Sequence, residues 1–167
     1  EHYSTGEPGP VASFKWSSQA LNFPDIPPNK LIGGVGDYGY DWTVNSKKPA
    51  VAINYSDIIG DISLGNISIK WDKESQNPYI SYKKDGVNHI AWFLDGTTFY
   101  NQVKATLDRD SAGVAIWKLG GEDPTIWNVI KNINNPQHSL KKIENIYCSS
   151  GVQYSEIGRA SCRERVF

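Results

Sequence analysis

GVAIWKLGGEDPTIW, Gly113 to Trp127, opens with a branched apolar run (Val114, Ala115, Ile116) that stops at Trp117. It then passes Gly120 and Gly121 and reaches Asp123-Pro124 ahead of Thr125-Ile126-Trp127. The pattern reads as strand, tight loop, helix. Asp123 suits an N-cap, because its carboxylate can accept a free N–H of the first turn, and Pro124 suits the first helical position, where no N–H is needed. A buried parallel strand carrying a large aromatic to its C-terminal end, followed by loop and helix, is one step of an α/β barrel or open α/β sheet. Function in those folds gathers at the C-terminal ends of the strands, so Trp117 is expected where a ligand would sit.

Upstream, KLIGGVGDYGYDW (Lys30 to Trp42) repeats the theme. Leu31 to Val35 reads as a second buried strand, and Tyr38, Tyr40, Asp41 and Trp42 cluster around Gly39 just beyond it. Four side chains able to stack on or hydrogen-bond a sugar within six residues exceed what a mere connection needs; the alternative is a turn whose aromatics only cap the fold.

Around these two stretches the chain alternates elements. Glu1 to Pro10 is a Gly- and Pro-containing loop. Ala12, Trp16 and Ala20 recur at helical spacing, predicting a short helix from Val11 to Leu21. Asp25 to Asn29 is a rigid connection. Ser56 to Leu64 is expected to be helical with Ser56 as N-cap. Three strand-like segments follow: Ile67 to Trp71, Tyr79 to Tyr82, and Val87 to Leu94 after the hairpin signal Lys84-Asp85-Gly86. Asp95 to Asp108 then reads as a helix, with Phe99, Val103 and Leu107 on one face. Beyond Ile133 the pattern breaks at Asn134-Asn135-Pro136, with a weak element from Ile143 to Tyr154.

The expected fold is therefore α/β: the C-terminal portion of a (β/α)8 TIM barrel with a small antiparallel β insertion. Only two segments have the continuous apolar character of barrel strands, and a complete barrel needs about 250 residues. The domain reading places barrel in 1–133, a post-barrel segment in 134–155, and a foreign tail in 156–167. EIGRASCRERVF, Glu156 to Phe167, matches one translated frame of a common short-read sequencing adapter. Without that tail Cys148 is the one remaining cysteine, so no intrachain disulfide is expected and the redox compartment is not legible.

Composition narrows the function classes. A net charge of −1 supplies no basic field for nucleic acid or anionic membrane. Aromatics make up 12% of the chain, with six Trp and nine Tyr, which fits sugar recognition and a well-filled core equally well. No apolar run spans a membrane, and neither a signal peptide nor an initiating Met opens the sequence. His2, His89 and His138 lie far apart without ligand spacing, so no metal is expected. Gly33, Gly34 and Gly36 do not meet the dinucleotide fingerprint, and no cofactor is expected.

EHYSTGEPGPVAS, KLIGGVGDYGYDW, HIAWFLDGTTFYNQ (His89 to Gln102) and GVAIWKLGGEDPTIW together resemble glycoside hydrolase family 18, the chitinase-like barrels. The chain is similar in particular to the domain that bacterial proteins fuse to a polysaccharide deacetylase and a glycosyltransferase. The resemblance covers Glu1 to about Ile133. It implies that Leu31 to Val35 is the seventh barrel strand and Gly113 to Trp117 the eighth. It implies hydrolysis of β-1,4-linked N-acetylglucosamine polymers or related glycans, in which the substrate's own N-acetyl oxygen attacks the anomeric carbon. A glutamic acid in a D-x-x-D-x-D-x-E motif at the fourth strand serves the family as acid. This sequence lacks the motif, and truncation explains that better than loss of activity.

What carries over is Trp117, matching the tryptophan that floors the sugar site, with Tyr38, Tyr40 and Trp42 as further cleft-lining residues. No catalytic residue is assigned. Asp95 and Asp123 read as helix caps and Glu122 as a favourable charge at a helix N-terminus. The resemblance implies an oligosaccharide or polysaccharide partner and an extracellular or cell-surface place on a bacterial protein. The competing reading is a non-catalytic carbohydrate-binding barrel of the same fold.

Overall fold

The computed structural model describes residues 3–13, 23–65 and 67–132. The helix expected at Val11 to Leu21 falls largely outside them, as do the post-barrel segment and the tail; Val11 to Ser13 themselves are not helical, and Ala12 has a φ of 42°. A 3-10 turn at Pro28–Lys30 leads into β1 (Ile32–Gly36). There follow β2 (Gly39–Thr43), β3 (Val51–Ile53), α1 (Tyr55–Gly65), β4 (Lys70–Asp72), β5 (Asn77–Lys84), β6 (Val87–Phe93), α2 (Gly96–Leu107), β7 (Gly113–Trp117) and α3 (Ile126–Lys131).

Two sheets result. β1 and β7 pair in parallel, with Ile32 opposite Gly113 and Gly36 opposite Trp117. The other five strands form an antiparallel sheet in the order β3-β2-β6-β5-β4. The parallel pair uses one face for its core. Val35, with Val114 and Ile116, packs on Phe99, Tyr100 and Val103 of α2 and on Ile126 and Val129 of α3. On the alternate positions Ile32, Gly34, Ala115 and Trp117 are exposed.

Period-two alternation explains the antiparallel sheet. Ile80, Ala91 and Phe93 point one way and bury Ile58 and Ile62 of α1 together with Ile69. Trp42, Trp92, Tyr40 and Tyr79 point the other way and meet Val11. The Asp85-Gly86 turn joins β5 to β6 with φ of 50° and 80°, positive at both central residues, as a type I′ hairpin requires.

Several expectations need correcting. From Gly39 onward the DYGYDW stretch is a strand rather than a loop, with Tyr40 and Trp42 opposite Trp92 and Ile90, while Asp37 and Tyr38 remain a connection. The antiparallel part has five strands where three were expected. α1 begins at Tyr55, and the residue ahead of it is Asn54, whose N–H donates to the Asp57 carboxylate at 3.0 Å, so Ser56 lies inside the helix. Leu107, expected on the buried face of α2, is 39% exposed because the helix ends there. α3 starts at Ile126 with Thr125 as its N-cap residue, so Asp123 and Pro124 are not its N-cap and first helical residue but lie in a tight preceding turn, closed by the Ile126 N–H on the Asp123 carbonyl at 3.0 Å.

Candidate functional site

Trp117 closes β7, and 71% of its surface is exposed while its backbone is pinned. Asp37, the residue just past β1, holds both polar groups of the peptide unit that follows the indole. Its N–H donates to the Trp117 carbonyl at 2.9 Å, and its carboxylate accepts the Lys118 N–H. That Trp117–Lys118 peptide is cis. Asp37 is only 4% exposed, and its second carboxylate oxygen is buried with no hydrogen-bond partner among the described residues. Burial raises its pKa above the ordinary carboxylate value, and nearby Glu122 adds to the rise against the opposing Lys118 N–H.

The loop after Trp117 is tied down at three further points. Gly120 turns with φ of 100°, a conformation that favours glycine, and donates its N–H to the Glu122 carboxylate. Its own and neighbouring backbone N–H groups hold Glu122 below the usual carboxylate range. The Gly121 carbonyl accepts the Tyr55 N–H at the start of α1 at 2.9 Å. Asp123 accepts the Gly96 N–H at the start of α2 at 2.8 Å and the Thr125 N–H at 2.9 Å. Asp123 therefore caps two turns at once. Asp95 is the N-cap of α2, accepting the Thr98 N–H at 2.9 Å, while Thr98 Oγ1 accepts the Asp95 N–H at 2.7 Å. Both carboxylates are spent on helix starts.

The three other aromatics form a row that starts at Tyr38, just ahead of β2, and continues along β2 with Tyr40 and Trp42. Tyr38 meets Tyr40 edge to face at 5.6 Å between ring centroids, and Tyr40 meets Trp42 at 5.7 Å. Trp92, opposite Tyr40, stacks on Tyr79 at 4.5 Å. The N-terminal segment lies against this face: Trp42 Nε1 donates to the Gly6 carbonyl at 2.9 Å, and Asn77 Nδ2 to the Val11 carbonyl at 2.7 Å. Trp42 is consequently 3% exposed, a support of the row with no free face, whereas Tyr38 and Tyr40 are half-buried. Trp117 belongs to the other sheet, where the register sets it opposite Gly36 at the end of β1.

Asp41 departs from its expected neighbours. As the odd residue between Tyr40 and Trp42 it points to the α1 side, where it accepts the Tyr82 hydroxyl at 3.0 Å and faces His89 Nδ1 at 2.9 Å. Burial and this carboxylate push the Tyr82 phenol well above its ordinary pKa. Asp37 is the residue that sequence reasoning passed over, since a lone Asp after a glycine looks like any turn residue.

A cavity of about 470 Å³ lined by Phe23, Pro24, Ile26, Pro28, Leu31, Arg109 and Ser111 lies at the other ends of β1 and β7, away from Trp117. Among the described residues no three His, Cys, Asp or Glu side chains gather as a metal site, and no helix is long and apolar enough to cross a membrane.

No family model matches the chain. It is 30% identical over 134 residues to the uncharacterized glycosylase YvbX of Bacillus subtilis (strain 168), a match covering 78% of this chain and 39% of that protein. Among solved structures it is similar to the spore cortex-lytic enzyme SleL of Bacillus megaterium QM B1551, with a TM-score of 0.73, 29% identity, and coverage of 78% of this chain and 32% of that one. It shares the fold of a chitinase from Chromobacterium violaceum ATCC 12472 at a TM-score of 0.71 and 24% identity, covering 81% of this chain and 43% of that one. The chain thus spans about two fifths or less of the length of these proteins.

Proposed function

Because the chain belongs to the chitinase-like domains of glycoside hydrolase family 18, we propose that it is the C-terminal part of a (β/α)8 glycosidase barrel whose β1 and β7 are the seventh and eighth strands. The antiparallel sheet is then an insertion between the seventh strand and its helix α2. The exposed positions Ile32, Gly34 and Ala115 face the barrel interior that the remaining strands complete. The substrate is a β-1,4-linked N-acetylglucosamine polymer or a related glycan, cleaved with the substrate's N-acetyl group as nucleophile. The general acid lies upstream of these residues, so this chain alone is expected to give no hydrolysis. The parent acts outside the cell or at its surface.

The observation that carries this reading is Trp117: a broad apolar ring, 71% exposed, on a backbone held at both polar groups of its peptide unit, at the C-terminal end of a parallel strand. An exposed indole with fixed backbone offers a sugar face a surface that is already ordered, so little conformational entropy is lost on binding. Tyr38 and Tyr40 extend the platform, and Trp42 supports it from beneath.

The test is steady-state kinetics of the full-length parent and its Trp117→Ala variant on a chromogenic chito-oligosaccharide. Stacking on the indole contributes about 1–3 kcal/mol. If it acts mainly on the distorted sugar of the transition state, kcat and kcat/KM fall together by about tenfold or more. Unchanged kinetics in a folded variant would remove Trp117 from the site. A parent that binds chito-oligosaccharides without cleaving them would instead be a carbohydrate-binding barrel.

A further inference from the structure

Among the described residues the buried carboxyl of Asp37 neither caps a helix nor forms an ion pair. One of its oxygens takes the Lys118 N–H, its backbone N–H takes the Trp117 carbonyl, and its other oxygen has no partner among the described residues. Leaving a buried polar atom unmade is costly, and a charge on it is costlier. Such a residue is retained in a fold when the geometry it imposes is needed. Here that geometry is the orientation of one peptide unit, the one from which the exposed indole hangs. The other anchors of the loop grip Gly120, Gly121 and Asp123, further along the chain.

We propose that Asp37 is a positioning residue for Trp117, its carboxyl clasping the Trp117–Lys118 peptide so that the indole keeps a single presentation to the sugar. The inference rests on the glycosidase reading for its consequence in turnover, but the clasp itself is a property of the fold. Among the described residues the charged groups facing Asp37 are Lys118 and Glu122, both in the loop after β7. Protonation relieves the unpartnered oxygen of its charge while the Lys118 N–H keeps its acceptor, and burial favours that protonated form. An asparagine at this position reproduces the protonated shape and cannot titrate. A leucine fills the space and accepts nothing.

The experiment labels the full-length protein with 5-fluorotryptophan, assigns the Trp117 resonance by its loss in Trp117→Phe, and follows it from acid to neutral pH in wild type, Asp37→Asn and Asp37→Leu. The wild-type resonance should shift along a single titration. In Asp37→Asn it should stay at the wild-type acid position throughout, and in Asp37→Leu it should be displaced or broadened at every pH. On a chito-oligosaccharide, Asp37→Leu should lose about tenfold in kcat/KM, equivalent to about 1.4 kcal/mol, and Asp37→Asn should recover most of that loss. A Trp117 resonance in folded Asp37→Leu that matches wild type would overturn the proposal, as would an Asp37→Asn variant as impaired as the leucine. Where Asp37→Leu fails to fold, the flat titration of Asp37→Asn decides alone. A wild-type parent that neither binds nor cleaves N-acetylglucosamine oligomers refutes the glycosidase reading and leaves the resonance arm to judge the clasp.

Discussion

Replacing Gly39 with alanine tests how tightly the aromatic strand is fitted to its neighbour. Gly39 lies between Tyr38 and Tyr40, opposite Phe93 on β6. A Cβ there would stand 2.6 Å from the Trp92 carbonyl oxygen, 2.7 Å from Phe93 Cβ and 3.0 Å from Phe93 Cα. Two of these three atoms are backbone, at the end of the β2–β6 ladder, so no side-chain rotation relieves the overlap. β2 must move away from β6, weakening pairs that hold Tyr40 to Trp92 and Trp42 to Ile90. Forced overpacking of this kind costs about 1–3 kcal/mol, and the backbone character of the clash puts it near the upper end, about 3 kcal/mol. With a urea slope of about 2 kcal/mol/M, the unfolding midpoint of the full-length protein should fall by about 1.5 M with the slope unchanged. Gly60→Ala is the control, since nothing lies within 4 Å of its added Cβ. A Gly39→Ala midpoint within about 0.2 M of wild type would refute the reasoning, because the slope then puts the cost below about 0.5 kcal/mol.

Gly60 itself sits inside α1, so its alanine variant should gain about 1 kcal/mol from helix propensity, read as a higher urea midpoint. Asp95→Ala removes the N-cap and leaves the buried Thr98 N–H without its acceptor; we expect a loss of about 1–2 kcal/mol in the same assay, and a loss under a few tenths would refute the cap. For Asp37 the sign follows from burial. Its folded pKa lies above the unfolded value of 3.8, so its contribution to stability is full below that value and is lost as pH rises through the folded pKa. Asp37→Asn escapes that loss, and its stability advantage over wild type should widen from acid to neutral pH; parallel stability curves would contradict it.

Long apolar runs and strong punctuation made part of this architecture legible from sequence. β7 lies where Val114 to Ile116 predicted it, and α2 begins beside the capping Asp95 because Asp and Thr at that spacing satisfy each other's backbone. The Asp85-Gly86 turn was legible for the same local reason. β2 was missed although Tyr38, Tyr40 and Trp42 alternate, because a strand that begins at a glycine right after another strand resembles a connection. β3 has three residues, too few for any period to show. The candidate site was legible as a tryptophan at a strand end and a cluster of aromatics, and pairing decided which of them stayed open. Strand parity turned Asp41 to the far face, and the Gly6 carbonyl helped cover Trp42. The clasp of Asp37 on Lys118 is a contact between residues far apart in the chain, which no local pattern encodes.

The register of β2 against β6 bears on how such a chain reaches its fold. Gly39 opens the antiparallel excursion, Phe93 ends it, and the two are cross-strand partners; Leu94 then donates its N–H to the Tyr38 carbonyl at 3.2 Å. The whole sheet thus leaves and returns at one point, like a bead pinched onto a string. Once it has formed, the connection from β1 to α2 is in effect Asp37 and Tyr38 on one side and Leu94 and Asp95 on the other, the length of an ordinary βα loop. The parallel pairing of β1 with β7 then closes a much shorter effective chain than the sequence separation implies, and its loop-closure entropy cost falls accordingly. Residues could be added to or removed from the interior of the sheet without altering the distance that β1 and α2 must bridge, provided that Gly39 and Phe93 still meet.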